Sequence, residues 1–285
     1  MIAIVVAATL AASSWIDAGA TDRIALQPAA DAVVTGAGLA AFVIPELLKE
    51  SLAPSHCVIC NGDDNSGLPG TGSRGSLNGV DAAFHDAMTG WILPRKTADT
   101  ASSIWAFALL PIGSVAGALA ATGPHATDGA GLRAAVVVLE SSAVSAALVQ
   151  GVKFFAARKR PFVRYGDGET SGTYDVNSND SHISFPSGHT AFATSLGVSL
   201  AMTASLEESP AAPWLWGAAA AMSVTTASLR MIAEKHYFSD VAVGAAIGAA
   251  CGVAFPLLHR RGSALAASSV SVGAHGPAFA LSGSF

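Results

Sequence analysis

Apolar residues gather into long stretches separated by short polar, Gly- or Pro-containing connections. The stretches 33–49, 82–93, 102–122, 132–157, 189–206, 213–232 and 237–258 read as helices from their length and apolar density. Several approach the roughly 20 apolar residues that a bilayer crossing requires. Ile104 to Thr122 is the cleanest of them, with Pro111 as a site for a kink. The stretch 132–157 carries Glu140 and Gln150, so one of its faces must avoid lipid. Strand signals are scarce before residue 263. The Ser/Ala/Gly-rich tail beyond it ends in alternating Phe279, Leu281 and Phe285, which suits a short edge strand or a loose tail. Residues 61–79 read as a Gly/Ser/Asp-rich loop. Asp63, Asp64 and Asn65 hint at calcium there, but their spacing is wrong for an EF-hand. No internal repeat is present.

The first twenty residues read as an export signal. An apolar run from Ile2 to Ala12 precedes Ala18-Gly19-Ala20, a small-x-small cleavage pattern. The n-region lacks Lys and Arg, so an uncleaved anchor helix is the other reading. Composition points the same way. Hydrophobic residues make up 51% of the 285 and charged residues only 12%, about half the charge content of an ordinary soluble domain. That excludes intrinsic disorder. A net charge of −5 argues against a general nucleic-acid binder. Three cysteines are too few for a disulfide scaffold. Cys57 and Cys60 form a C-x-x-C pair open to a local disulfide, idle thiols or redox chemistry, while Cys251 reads as helix packing. The fold expected is all-α. It is a membrane-integrated bundle of about six helices with an active site at one pole. Residues 21–100 form N-terminal helices and a loop, 101–260 the core and 261–285 a tail.

Three clusters carry the candidate chemistry. In the first, Lys153 and Arg160 stand seven residues apart, within about 20° of two full helical turns, and Pro161 ends that helix. A basic flank at a membrane interface would look the same. The second is Pro186-Ser187-Gly188-His189 before a helical run. The free N–H groups of Ser187, Gly188 and His189 would face an anion, aided by the helix dipole. The third holds Arg230, His236 and Asp240. His236 and Asp240 are i, i+4 at a helix start, so a carboxylate can fix the imidazole tautomer and leave the other nitrogen to attack. Each cluster alone has an ordinary structural explanation. Together they place cations, histidines, a carboxylate and free amides at helix ends that an up-down bundle brings to one pole.

Lys153-x6-Arg160-Pro161, Pro186-Ser187-Gly188-His189 and Arg230-x5-His236-x3-Asp240 resemble the three-part signature of the type 2 phosphatidic acid phosphatase superfamily. That superfamily includes bacterial lipid phosphatases, soluble acid phosphatases and vanadium haloperoxidases. The resemblance covers roughly residues 100–258. One position departs: Leu229 stands where the family usually has Ser, which puts a supporting hydroxyl contact in doubt. The resemblance implies a phosphohistidine formed on His236, with Asp240 orienting it. His189 acts as acid and then base, and Lys153, Arg160, Arg230, Ser187 and Gly188 hold the phosphate oxygens. Neither metal nor cofactor is expected there. Arg158, Lys159, Arg164 and Lys235 crowd the same pole, where they attract an anionic head group or simply solvate helix ends.

The substrate expected is a phosphorylated lipid or another phosphate ester; oligomeric state is not legible. A vanadate-dependent haloperoxidase is the remote alternative. Arg133 and His259-Arg260-Arg261 lie at the pole away from the catalytic one, which suits positive-inside topology with catalysis outside. That orientation describes a bacterial inner-membrane protein with a periplasm-facing site; a soluble periplasmic bundle is the alternative. One conflict follows. A cleaved signal leaves residue 21 outside, so an even number of spans must precede residue 102. Either 33–49 lies flat or against the bundle, or the signal persists and 33–49 does not span, or 82–93 completes a pair.

Overall fold

The computed structural model describes residues 23–59, 78–88, 93–124 and 126–263, and the backbone of 268–273 and 276–281. The expected signal or anchor at 1–20, the Asp63–Asn65 loop and Cys60 lie outside the described residues. Cys57 is disulfide-bonded and Cys251 is free and buried.

The architecture is all-helical, as the apolar stretches predict. Six long helices form the bundle: α1 (Pro28–Leu47), α3 (Arg95–Ala120), α4 (Ala130–Ala156), α6 (Gly188–Leu206), α7 (Ala212–Ile232) and α8 (Phe238–Leu258). Two shorter helices, α2 (Gly79–Met88) and α5 (Pro161–Tyr165), sit at one pole. The tail adds an antiparallel hairpin, β1 (Ser268–Gly273) and β2 (Gly276–Leu281), with Ser268 opposite Leu281.

α3 begins seven residues before its apolar run, because Arg95, Asp99 and Ser102 point into the protein at the catalytic pole rather than toward an apolar surround. A π-turn, Trp105–Leu109, interrupts it just ahead of Pro111. Pro111 has no N–H to continue the ladder, and the wider turn absorbs that loss.

α4 packs against α1, α3, α6 and α8 and buries Arg133, Glu140, Gln150 and Lys153 along with its apolar side chains. Its neighbour α6 meets α8 through small residues. Cβ atoms built on Gly244, Gly248 and Gly252 would fall 2.5 Å from Ser187 O, 2.3 Å from Ala191 O and 2.8 Å from Val198 Cβ. The two backbones can approach this closely only without side chains at those positions. Leu110, Val138, Leu196 and Leu200 fill the centre. The outer faces are apolar instead of polar, with Val33 69% and Ile112 68% exposed. Four helices, α1, α3, α4 and α8, are long and apolar enough to cross a membrane by length and composition.

The described residues show how the 33–49 and 82–93 stretches run. α1 starts beside the end of α8, where Ala25 N–H bonds His259 O at 2.8 Å. It ends at the catalytic pole, where Lys49 pairs with Asp180 at 3.0 Å. The 33–49 stretch therefore runs the length of the bundle. The 82–93 stretch does not: α2 lies at the catalytic pole, bonded through Asp81 to Arg158 and Ser239. Residues 23 and 259 consequently share the non-catalytic pole.

Candidate active site

The ends of α4 and α7 and the starts of α3, α6 and α8 converge on a cavity of about 220 Å³. His236 sits in the turn between α7 and α8, where Glu234 takes a positive φ of 53°. Its Nδ1 donates to Ser184 O at 2.6 Å, so Nε2 carries the lone pair and faces the cavity. Burial, followed by the charges of Arg160, Arg230 and Lys153, holds the imidazole well below its ordinary pKa. It is neutral at pH 7, the state a nucleophile needs.

Asp240 is fully buried and lies 3.8 Å from His236 Nδ1, beyond hydrogen-bond reach. Its Oδ2 accepts from Ser184 Oγ at 2.5 Å and from Tyr237 N at 2.8 Å, capping α8. Its Oδ1 accepts from Arg158, which also bonds Asp81 at 2.8 Å. The expected direct bond between Asp240 and His236 is thus replaced by two contacts through Ser184, whose carbonyl fixes the ring and whose hydroxyl holds the carboxylate.

The three signature cations line the cavity, each facing a carboxylate that the motifs do not contain. Arg160 bonds Asp180 through its carbonyl at 2.8 Å and its carboxylate at 3.1 Å. Arg230 bonds Asp99 at 2.5 Å and Ser102 Oγ at 3.0 Å. Lys153 lies close to Gly188, where a Cβ would stand 3.3 Å from Nζ, so glycine is what keeps that approach open. Glu46 and Lys49 of the N-terminal segment complete the wall. Five lining cations (Lys49, Lys153, Arg160, Arg230, Lys235) face three carboxylates (Glu46, Asp99, Asp180). With Lys235 protonated, the excess of two positive charges matches a phosphate monoester dianion.

The second cluster requires a correction. Ser187 caps α6 as its position predicts, with Oγ accepting from Thr190 N. Its own N–H, however, donates to Asp240 O at 2.9 Å, and the residue is fully buried. Ser187 therefore offers the anion no amide; it ties the start of α6 to α8. Gly188 and His189 line the cavity as the first residues of α6, whose N–H groups have no carbonyl one turn earlier to bond. His189 Nε2 lies 3.3 Å from Ser103 Oγ, and its ring meets Phe107 edge-on at 4.5 Å.

The flanking cations separate by role. Arg158 is buried behind Asp240, stacked at 4.3 Å over Tyr237. Lys235 lies in the cavity wall, 4.2 Å from the Tyr174 ring centroid. Burial, then the Arg160 charge, lowers its pKa to about 7. Arg164 lies outside, over the Tyr165 ring. Leu229 does not line the cavity, whereas Ser103 of α3 does and supplies a hydroxyl beside His189. Sequence reasoning missed Glu46, Lys49, Asp99, Ser103 and Asp180. They come from distant segments without motif spacing, and the polar positions of 95–103 on one helix side are the only signal that could have pointed to any of them.

Residues 134–264 match the family model of the PAP2 superfamily. That superfamily implies phosphatase or phosphoesterase activity on a phosphate ester. No curated protein and no solved structure matches the chain.

Proposed function

Residues 134–264 belong to the PAP2 superfamily, and on that premise we propose that the protein is a metal-independent lipid phosphatase working through a phosphohistidine. The observation that carries this reading is the fixed tautomer of His236, with Nε2 turned into a cavity of excess positive charge. In the first step Nε2 attacks phosphorus, the bond to the leaving oxygen breaks, and His189, protonated as the phosphate binds, gives that oxygen its proton. In the second, His189 takes a proton from water, the hydroxide oxygen attacks phosphorus, and the P–N bond breaks to release phosphate and His236. Arg160, Arg230, Lys153 and the Gly188 amide hold the equatorial oxygens, where the charge of the transition state is spread. Asp240, near but not bonded to Nδ1, steadies the positive ring of the intermediate.

A lipid leaving group is favoured by what surrounds His189. Phe42 of α1 and Phe107 of α3 line the cavity on that side, with centroids 6.0 Å apart. Phe107 is 41% exposed on the outer apolar face. A cavity of about 220 Å³ takes the phosphate and the first atoms of its leaving group, so the alkyl chain would leave between these rings toward the apolar surround. With the bundle across a membrane and the catalytic pole outside, Arg23, Arg260 and Arg261 fall on the inner side, as positive-inside topology requires.

The test is phosphate release by the purified chain from phosphatidate, a polyprenyl pyrophosphate and a soluble monoester. Turnover of the lipids is expected to exceed that of the soluble ester and to survive chelator, with competitive inhibition by vanadate. Activity lost in EDTA and restored by a divalent ion would overturn the mechanism. Preference for the soluble ester would overturn the lipid assignment.

A further inference from the structure

A second polar cluster lies at the opposite pole, where no step of the hydrolysis reaches. Asp31 of α1, Glu140 of α4 and His259 after α8 each bring one ligand atom to a common point, all within 4.8 Å of one another. They are separated by more than a hundred residues in sequence, so only the fold assembles them. His259 Nδ1 is 2.8 Å from Phe255 O, one turn back, and carries a proton for that bond. Nε2 therefore faces Asp31 Oδ1 at 3.3 Å and Glu140 Oε2 at 3.2 Å. Asp31 is held as well: its Oδ2 accepts from Gln27 N at 2.8 Å, which leaves Oδ1 turned to the cluster.

A cation at the centre would meet two buried carboxylates. Asp31 and Glu140 are 4% and 3% exposed. Glu140 Oε2 receives no hydrogen bond, despite the nearby imidazole. With a proton on Nε2 the cluster is neutral only if Glu140 also keeps its own proton, and Oε2 still has no aligned donor, a costly state inside a protein. A divalent ion with a neutral imidazole balances the site completely.

Two of the three dimensions agree. Zinc bonds to imidazole nitrogen and carboxylate oxygen are about 2.0–2.2 Å, which makes the edges of a tetrahedron about 3.3–3.5 Å. The two separations from Nε2 fall at that length, while all three atoms lie within 4.8 Å, so the two carboxylates have to draw together as the ion binds. The outer contacts are also those of a metal site, with the other imidazole N–H on a backbone carbonyl and the carboxylate on a backbone amide. A cavity of about 270 Å³, walled by Val34, Phe255 and Leu258, opens onto the three residues and leaves room for a fourth ligand. Calcium is a poor match, because it takes six or more oxygens.

We propose that Asp31, Glu140 and His259 form a structural site for one divalent transition-metal ion of the zinc class, joining α1, α4 and the end of α8. Its role follows from what α1 carries. Fifteen residues beyond Asp31, about 22 Å along the helix, Glu46 lines the phosphate cavity. A metal at the foot of α1 fixes the helix that supplies this wall, without touching the reacting atoms.

The experiment uses the full-length protein purified in detergent, loaded with Zn²⁺ or Co²⁺ and passed through gel filtration. About one zinc per chain should remain bound, and cobalt should show the visible bands of a four-coordinate ion with nitrogen and oxygen ligands. His259→Ala and Glu140→Gln should weaken zinc binding by more than the roughly 10–100-fold typical of outer-shell changes. Removing the metal should lower the melting temperature while phosphate release, measured well below it, continues. A monodisperse wild-type chain that takes up no zinc and gives no cobalt spectrum would overturn the proposal. So would a folded His259→Ala chain that binds zinc as tightly as the wild type. The wild-type cobalt measurement decides the matter even if both variants misfold.

Discussion

Ser184 divides the support of the nucleophile into two parts. Its carbonyl sets the tautomer of His236 at 2.6 Å, and its hydroxyl holds Asp240 at 2.5 Å. Asp240→Asn should therefore leave the ring oriented while removing the charge that balances the phosphorylated imidazole. Activity should fall, yet some phosphoenzyme should still form. His236→Ala should abolish turnover and the covalent intermediate together. His189→Ala should slow an alkyl ester by roughly 10²–10⁴, the usual worth of general acid catalysis. It should affect a nitrophenyl ester much less, since that leaving oxygen scarcely needs a proton. Rapid-quench trapping of acid-labile phosphoprotein, with each fold checked by circular dichroism, separates these outcomes. A folded His236→Ala chain that accumulates phosphohistidine would transfer the nucleophilic role to His189. Short-range spacing pointed to His189, His236, Asp240, Lys153, Arg160 and Arg230, and all but Asp240 line one cavity, although Arg160 reaches it from beyond the end of α4 at Ala156 and not from two turns along that helix. Ser184 was not legible, because it acts through a backbone carbonyl that any residue could supply.

Among the elements, the meeting of α6 and α8 governs the site most directly. Gly244 lies against the backbone of Ser187, and Gly248 one turn on lies against Ala191. Helix positions and the helical class could be read from apolar density, which is a local property. The register of one helix on another could not, since it depends on which small residues face each other. Gly244, Gly248 and Gly252 fall four apart, but so do Gly217 and Ala221 of α7, which face outward. Gly248→Ala tests the distinction. Its Cβ would stand 2.3 Å from a backbone oxygen, so the helices must separate. The expected cost is about 1–3 kcal/mol, as for other overpacked cores, with activity reduced because Ser187 and His236 shift apart. Gly217→Ala is the contrast: nothing lies within 4 Å of its added Cβ, so gain in helix propensity should leave the protein as stable or up to about 1 kcal/mol more so. Thermal unfolding of both variants provides the measurement. Equal effects at the two positions would show that close packing at Gly248 does not control the interface.

At the scale of the whole molecule, six alternating passes among the described residues bring the chain, at residue 259, back to the pole that holds residue 23. Ile24 bridges Arg260, and Arg261 N–H bonds Arg23 O at 2.8 Å, so both ends of the described bundle are joined there. Sequence could not settle this, because Pro28, Asp31 and Pro45 interrupt the apolar run of α1, whose length and composition allow a span without requiring one. The joined ends constrain topology. If the bundle crosses a membrane with catalysis outside, residue 23 lies inside, and a signal cleaved after Ala20 would leave it on the wrong side. A cleaved signal and this orientation exclude each other. Site-directed labelling can choose between them, since the bonded Cys57 and the buried Cys251 supply no reactive surface thiol among the described cysteines. Ser171→Cys lies exposed at the catalytic pole and Ser263→Cys at the other. A membrane-impermeant maleimide on intact cells should label the first directly and the second only after permeabilisation. Labelling of both from outside would instead indicate a bundle exported whole, with its apolar faces covered by something other than lipid.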